Sequence, residues 1–466
     1  MNEEIIHKGP ILLVSCYELG HQPAGIAMPL GFLRRAGYEC EAMDVSVEGF
    51  DADKVTRARF VGISVPMHTA LRLGSRVAEE IRKLNPGCHI CFYGLYALLN
   101  ADCLLDTVAD SVIGGEFEEA LVQLIEAVES GGPIDIHEVS TRSHASRPVL
   151  ARLNFTAPVR SALVPLEHYA RLEYHGDQRI VGYVEASRGC LHHCTHCPIP
   201  SVYNGRFFVV PEEIVLQDIR GLVAEGARHI TFGDPDFLNG PGHSLRITRA
   251  LHLEFPELTF DFTAKVEHIL KHRELISEFA QSGCLFVVSA VESLSYTVLE
   301  NLKKGHTRDD VLEALRILQS AGITMRPTFV PFTPWSTIND YIDIIEFIES
   351  QGLIDHVDPV QYSIRLLVPP GSLLLSQPDN QWLGQLIQES FTYAWAHPDP
   401  RLDELYKEVS AVVERAAGRN EDAHETFHDI LELAFAARGD MPSIRLQMPI
   451  DPLRLRPPRL TEAWFC

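Results

Sequence analysis

The chain has 466 residues, 46% of them hydrophobic, and its 63 Asp and Glu against 40 Lys and Arg leave a formal net charge of −23. That length exceeds one compact core and calls for two or three domains. The acidic balance excludes a nucleic-acid-binding surface, which needs clustered cations, and no stretch reaches the ~18 uninterrupted apolar residues of a membrane span. Ten cysteines, scattered except at one motif, read as free thiols of a reducing compartment, so the expected location is the cytoplasm. The first eight residues are acidic and lead straight into a strand, unlike a signal or transit peptide.

Residues 1–130 alternate strand and helix signals. Residues 11–15 form a short apolar strand, 25–35 have helical spacing, and 38–45 and 60–65 are further strands. Residues 69–84 form an amphipathic helix stopped by Asn85-Pro86-Gly87. Another strand signal at 88–92 leads to Gly94, and 111–116 opens a helix that runs through Val128. Repeats of this length imply right-handed crossovers and a doubly wound parallel sheet, α/β in class, with a ligand crevice at the strands' carboxyl ends. Residues 131–180, with Pro133, Pro148, Pro158 and Pro165, read as linker and strap.

From 181 to 372 the alternation resumes, with helices at 211–225, 273–282, 307–320 and 337–351 and strands at 229–232, 258–265, 284–289, 324–330 and 360–367. Its first strand, 180–184, runs into Glu185-Ala-Ser-Arg-Gly-Cys190-Leu-His-His-Cys194-Thr-His-Cys197. Three thiolates at C-x3-C-x2-C converge on one soft-metal centre. On a four-iron cluster three protein ligands leave one iron open to a substrate or cofactor. Zinc, with His192, His193 or His196 as fourth ligand, is the alternative, although the second ligand pair usual in zinc modules is missing. Residues 373–466 have helical spacing at 381–393, 401–417 and 421–438 and read as a helical cap.

The cysteine loop after a strand resembles the signature of the radical S-adenosylmethionine (SAM) superfamily. The resemblance implies a partial (β/α)6 barrel over 181–372 and a [4Fe-4S] cluster on Cys190, Cys194 and Cys197. It also implies SAM chelated to the open iron, and an external reductant such as flavodoxin or ferredoxin to drive carbon–sulfur cleavage. A cap that excludes water would then protect a radical. His196 stands where the family usually has an aromatic residue, keeping a planar ring and adding a titratable one. By the same resemblance Gly233, Asp234 and Asp236 stand at the turn that receives the SAM ammonium, where a carboxylate adds a charge-assisted contact. Ser289 and Glu292 stand at the ribose strand end, with Lys303-Lys304-Gly305-His306 as the turn that follows it. Arg326 and Arg365 are candidates for the SAM carboxylate. Asp-Pro is equally a routine turn pair, and a lone cation is more often solvated surface.

Residues 1–130 resemble the cobalamin-binding module that precedes many radical SAM cores. The matching residues are Gly62-Ile-Ser-Val-Pro66-Met67-His68, the Asn85-Pro86 turn, Gly94 and Gly114-Gly115-Glu116. Glycines after strands let a backbone approach a bulky ligand closely. Leu153-Asn-Phe and Val164 to Tyr169 resemble the loop that precedes the cysteine motif in such relatives. The module's Asp-x-His-x-x-Gly motif is missing, and Glu18-Leu-Gly-His21-Gln-Pro-Ala-Gly25 occupies its place. Cobalamin binding and a ligand-free domain of the same shape both stay open.

The last residues, with Trp464, Phe465 and Cys466, resemble radical SAM proteins that carry a Cys-Cys-Ala-Glu-Pro or Cys-selenocysteine-Ala-Glu-Pro tail. A selenocysteine codon read as a stop would end a chain at this cysteine, so Cys466 is a candidate for contact with substrate. Similarity to the arsinothricin-forming radical SAM enzymes gives the first expected reaction, transfer of a 3-amino-3-carboxypropyl radical to a small molecule such as arsenite. Cobalamin-dependent methylation is the second. Both are transferase reactions of natural-product biosynthesis. The contrasting class, a non-catalytic iron–sulfur electron carrier, has no need of an open iron or a ribose site.

Overall fold

β1 (Ile11–Ser15) is five consecutive buried residues, the run expected of a strand covered on both faces. The computed structural model describes residues 10–440 and 454–461. After β1 come α1 (Ala24–Arg35), β2 (Cys40–Asp44), α2 (Ala52–Arg57), β3 (Phe60–Ser64) and α3 (His68–Leu84). They are followed by β4 (His89–Tyr93), α4 (Leu95–Leu99), α5 (Ala101–Thr107), β5 (Ser111–Ile113) and α6 (Glu118–Ser130). The five strands are parallel in the order β2-β1-β3-β4-β5, and Ile11 lies opposite Cys40 on one side and Phe60 on the other. Side chains alternate between the faces of a strand. Leu12 and Val14 join Ile63 and Ile81 on one face, while Ile11 and Leu13 join Leu30 and Leu121 on the other. The chain reverses direction across the sheet between β1 and β3, so the crevice of this topology opens at their carboxyl ends.

The second unit begins with β6 (Arg171–Tyr174) and β7 (Asp177–Val184), an antiparallel hairpin. Then come β8 (Ser187–Gly189), α7 (Pro198–Tyr203), β9 (Phe207–Val209), α8 (Glu212–Ala224), β10 (His229–Phe232) and α9 (Pro241–Glu254). β11 (Thr259–Thr263), α10 (Val266–Lys271), α11 (Arg273–Gln281), β12 (Cys284–Glu292) and α12 (Tyr296–Asn301) follow. The unit closes with α13 (Arg308–Ser320), β13 (Thr324–Phe329) and α14 (Ile338–Ser350). β7, β10, β11, β12 and β13 are parallel neighbours. On their outer face Val184, Ile230, Phe260 and Phe262 pack with Ile219, Leu251 and Phe279 of the covering helices. The other face is polar at its centre: His229 Nε2 and Thr231 Oγ1 reach Asp261 Oδ1 at 2.8 and 2.7 Å. α13 and α14 each open on a capping box, Thr307 with Asp310 and Thr337 with Asp340, which satisfies backbone donors that would otherwise lack partners. No described helix is long and apolar enough to cross a membrane.

Three elements depart from expectation. The strand expected at 360–367 forms only a short 3-10 turn at Pro359–Ser363 and one bridge, Phe332 to Arg365. Gln361 Oε1 accepts the Phe329 N–H at 3.0 Å, so a side chain takes up a donor that a sixth strand would have used. The helix expected at 381–393 is instead an antiparallel pair, β14 (Leu383–Ile387) and β15 (Thr392–Trp395). Trp382, Tyr393 and Trp395 pack there on Leu366, Val368 and Leu374, and aromatic residues favour the pleated surface. Within the stretch read as irregular, β6 pairs with β7 and with β16 (Arg459–Leu460), making an antiparallel edge to the sheet. α15 (Pro400–Arg419) and α16 (Ala423–Arg438) do form, and their Leu405, Val409, Phe427 and Ile430 extend the outer core. Cys466 lies outside the described residues.

Candidate active site

The cysteine loop leaves the sheet at Val184 and is fixed before it reaches the first thiol. Asp234, after β10, accepts from Ala186 N at 2.9 Å and Ser187 Oγ at 2.5 Å. Gly189 has φ +77°, and a Cβ there would sit 2.4 Å from Arg206 O, so only glycine passes this point. Further along, Thr195 bonds the backbone of Asn301 and Leu302, and Pro198 starts α7 with Cys197 as its N-cap. Cys190 and Cys194 are buried and Cys197 is half-buried, all three unpaired. Burial, helped by neighbouring cysteines, pushes the Cys190 thiol up and that of Cys197 to about 12.

Each of the three neighbouring histidines packs against another group. His196 Nε2 lies 3.2 Å from Glu292, His192 contacts Lys265 and His268, and His193 fills the space beside Gly205. A soft three-sulfur donor set in a buried loop, with one buried ammonium at Lys304 close enough to be raised by Cys194 and Cys197, fits an iron–sulfur cluster with one open iron.

The residues expected around SAM divide into two groups. Glu292 ends β12 at φ +65° and faces the loop, its carboxylate 3.2 Å from both Lys304 Nζ and His196 Nε2. Burial pushes its pKa up, but Lys304 and His196 outweigh burial and hold it at about 2, so it is ionised at any working pH. Asp236 also faces the loop, with Oδ1 accepting from Leu238 N at 3.0 Å and Oδ2 2.8 Å from His268 Nδ1. The others serve the scaffold. Ser289 Oγ donates to Ala264 O at 2.8 Å. The side of Gly233 where a Cβ would stand holds the Tyr183 ring at 2.1 Å, and Asp234 is spent on the loop.

Arg326 and Arg365 correct the expectation for the SAM carboxylate. Arg326 bonds both Asp358 oxygens at 2.8 Å and Pro458 O at 3.2 Å. Arg365 pairs with Asp403 at 2.8 Å and lies 3.6 Å over the Trp395 ring. Each guanidinium is already neutralised by its own carboxylate. The cations that flank the cysteine loop are Lys304 and Lys265. Lys304 lies in the Lys-Gly turn noted above. Lys265 follows β11, the position where this architecture places reactive groups, and a single lysine offers no other signal.

Glu292→Ala should weaken SAM binding to cluster-loaded protein by the worth of one charge-assisted contact, about 1.5–3 kcal/mol, with iron content unchanged. Equilibrium binding of SAM measures this, and unchanged affinity would restrict Glu292 to neutralising Lys304.

In the first unit, most of the loops expected to receive a ligand hold other parts of the chain. A Cβ on Gly114 would meet Leu98 at 2.4 Å, and one on Gly115 would meet Val149 O at 2.2 Å. Gly94, at φ +106°, lies against the Val65 backbone. His68 Nε2 is 2.7 Å from Ser390 O in the β14–β15 turn, and Met67 packs on the core beside Pro66. At the reversal between β1 and β3, Glu18 reaches Ser64 Oγ at 3.5 Å and the Gly25 N–H at 3.3 Å. Burial pushes Glu18 up to about 8. His21 stacks on Tyr183 of β7 at 4.7 Å, and burial holds it near 3, so it stays neutral. The β1–α1 loop thus turns towards the barrel, and a cobalamin in the crevice would lie between sheet and barrel with no histidine in the usual sequence position.

Sequence reasoning missed how the two units are joined. Arg188, two residues before Cys190, is buried and bonds Glu118 at 2.5 Å and Glu185 at 3.0 Å. Glu116 lies 3.6 Å away and accepts from Tyr203 Oη at 2.9 Å. Burial pushes Glu116 to about 7 and Glu118 upward, with Arg188 opposing both shifts. Arg160 ties the linker to both units through Asp218 and Gln22.

Comparison with known proteins matches this arrangement. Residues 184–348 match the Radical SAM superfamily, and residues 10–125 match the B12 binding domain. The chain is 24% identical over 341 residues to hopanoid C-3 methylase of Methylococcus capsulatus, covering 71% of this chain and 64% of that protein. It is 21% identical over 331 residues to an uncharacterised methyltransferase of Pyrococcus horikoshii, 69% of each chain. Among solved structures, the cobalamin-dependent SAM radical enzyme OxsB with aqua-cobalamin bound superposes with a TM-score of 0.71 at 15% identity, over 92% of this chain and 72% of that one. The radical SAM methyltransferase TsrM of Kitasatospora setae, with cobalamin and a [4Fe-4S] cluster bound, gives 0.60 at 17% identity over 74% and 70%. At such identities the superpositions speak for the fold, while the two domain matches speak for the chemistry. Residues 184–348 thus carry a Radical SAM domain, and a B12 binding domain at residues 10–125 precedes it.

Proposed function

We propose that this enzyme is a cobalamin-dependent radical SAM methyltransferase acting on a small molecule. The observation that carries the reading is the B12 binding domain match over residues 10–125, in a domain joined through Glu116 and Glu118 to Arg188, two residues from the first cluster cysteine. The named relatives add support, since three of those described are methylases or methyltransferases. In this reading cobalamin supplies the methyl relay, and the cluster supplies the electron and the anchor for SAM. The chain's own residues hold these groups together: Cys190, Cys194 and Cys197 ligate iron, Glu292 accepts the SAM ribose, and Lys304 balances charge beside the thiolates. An external reductant completes the cycle. This reverses the order in which the sequence placed the two reactions.

The other reaction, aminocarboxypropyl transfer to an acceptor such as arsenite, rests on the resemblance to arsinothricin-forming enzymes, and its candidate acceptor ligand, Cys466, lies outside the described residues. One experiment separates the two. Anaerobic protein purified with hydroxocobalamin should retain one equivalent by its visible spectrum, and with reductant and SAM should form S-adenosylhomocysteine. A protein that binds no cobalamin and releases methylthioadenosine would overturn methylation in favour of aminocarboxypropyl transfer.

A further inference from the structure

Beside the cysteine loop stands a second donor set that the cluster does not use. His192, Asp236 and His268 each offer one ligand atom, and these atoms all lie within 4.8 Å of one another. His192 comes from the loop itself, Asp236 from the turn after β10 and His268 from α10, so three separate segments converge on one point. With Nδ1 as the ligand atom of His268, the set is Asp236 Oδ2 at 2.8 Å from His268 Nδ1 and 3.8 Å from His192 Nε2, while the other His268 nitrogen, Nε2, stands 3.1 Å from His192 Nε2 outside the set. Ligand atoms at right angles, each about 2.1 Å from one ion, lie about 3 Å apart. Asp236 and His268 are buried, 1% and 6% exposed by side chain.

Their facing atoms are close without being hydrogen-bonded. Asp236 Oδ2 and His268 Nδ1 are both buried and neither has a hydrogen-bond partner in the structure. A buried carboxylate oxygen and imidazole nitrogen left in this way normally cost stability, and a shared metal ion is the partner that satisfies both. The periphery fits as well. Glu267 Oε2 lies 3.7 Å from His192 Nδ1, placed to accept the ring N–H that a ligating histidine turns away from its metal.

We propose that His192, Asp236 and His268 bind one divalent transition-metal ion, distinct from the cluster, whose open positions take an oxygen or nitrogen ligand of the substrate. Two imidazoles and a carboxylate suit iron(II), cobalt(II), manganese(II) or zinc, and three protein ligands leave coordination positions open. Lys265 competes for the same histidine: its Nζ is 3.0 Å from His192 Nδ1 and 3.2 Å from Glu267. With metal on His192 Nε2, the neutral ring would carry its one proton on Nδ1 and donate it to Glu267 in a hydrogen bond, so the lysine contact would be given up.

The test uses cluster-reconstituted protein, in which the thiolates are occupied by iron, and titrates it anaerobically with manganese(II). Free manganese is counted from its six-line electron paramagnetic resonance signal. One equivalent should bind, zinc should displace it, and His268→Ala and Asp236→Asn should each weaken binding at least about tenfold. Iron content and visible spectrum show that these variants keep their cluster. Lys265→Met retains every ligand and removes the competitor, so it should bind manganese as tightly as the parent or tighter. The proposal is overturned if neither parent nor Lys265→Met binds manganese, which would leave Asp236 and His268 as a buried ion pair beside His192 and Lys265. It is equally overturned if both ligand variants bind as well as the parent.

Discussion

Cys194→Ala should lose the visible iron–sulfur absorbance and all reductive SAM cleavage, and Cys190→Ala and Cys197→Ala should do the same. With two thiolates left, no four-iron cluster is held with one iron open, because each protein ligand secures one of the other three irons. Cys194 is buried beside Lys304, so removing its thiolate also leaves a buried ammonium with less negative charge around it. Iron analysis, visible spectra and the yield of SAM cleavage products measure the effect. Retained cleavage in any of the three variants would refute the cluster assignment.

Arg188→Ala should be the most damaging substitution that touches neither cluster nor SAM. It leaves Glu116, Glu118 and Glu185 facing each other without their cation in a site where Glu116 and Glu118 are fully buried. Breaking a buried ion pair from one side typically costs about 3–5 kcal/mol. Thermal unfolding should shift strongly downward, and the linker at 131–165 should become sensitive to protease as the two units separate. Replacing Glu118 by Gln in the same chain removes one of the stranded charges and should recover part of the loss. A variant as stable and protease-resistant as the parent would show that the units are held together by other contacts.

The strands and helices that the sequence made legible share one property. Their apolar residues follow the pattern of the element that forms, as in residues 11–15 or 308–320, and both faces of the first sheet find a core. The three cysteines were legible for a different reason, since their spacing is itself the ligand geometry. What stayed hidden depends on partners far away in the chain. Arg326 and Arg365 looked like free cations because Asp358 and Asp403 lie 32 and 38 residues further on. Arg188 drew no notice because its partners in the first unit precede it by about seventy residues. The stretch 381–393 has an apolar spacing that suits a helix, and only packing on Leu366, Val368 and Leu374 decides for a hairpin. Lys265 and His268 become site residues only when β11 places them beside His192.

The position of Arg188 also bears on how this enzyme exchanges what it carries. The residue belongs to the strand that delivers the cysteine loop, yet its charge is balanced from the neighbouring unit. Swinging the sheet unit away would bare two buried carboxyls, which opposes separation of the two units. A group held between them would leave only by parting that ion cluster. Substrate and SAM, which must come and go with every cycle, need a different door. The rim formed by the loops after β10, β11 and β12, where Asp236, Lys265 and Glu292 face the cysteine loop, is the place for it.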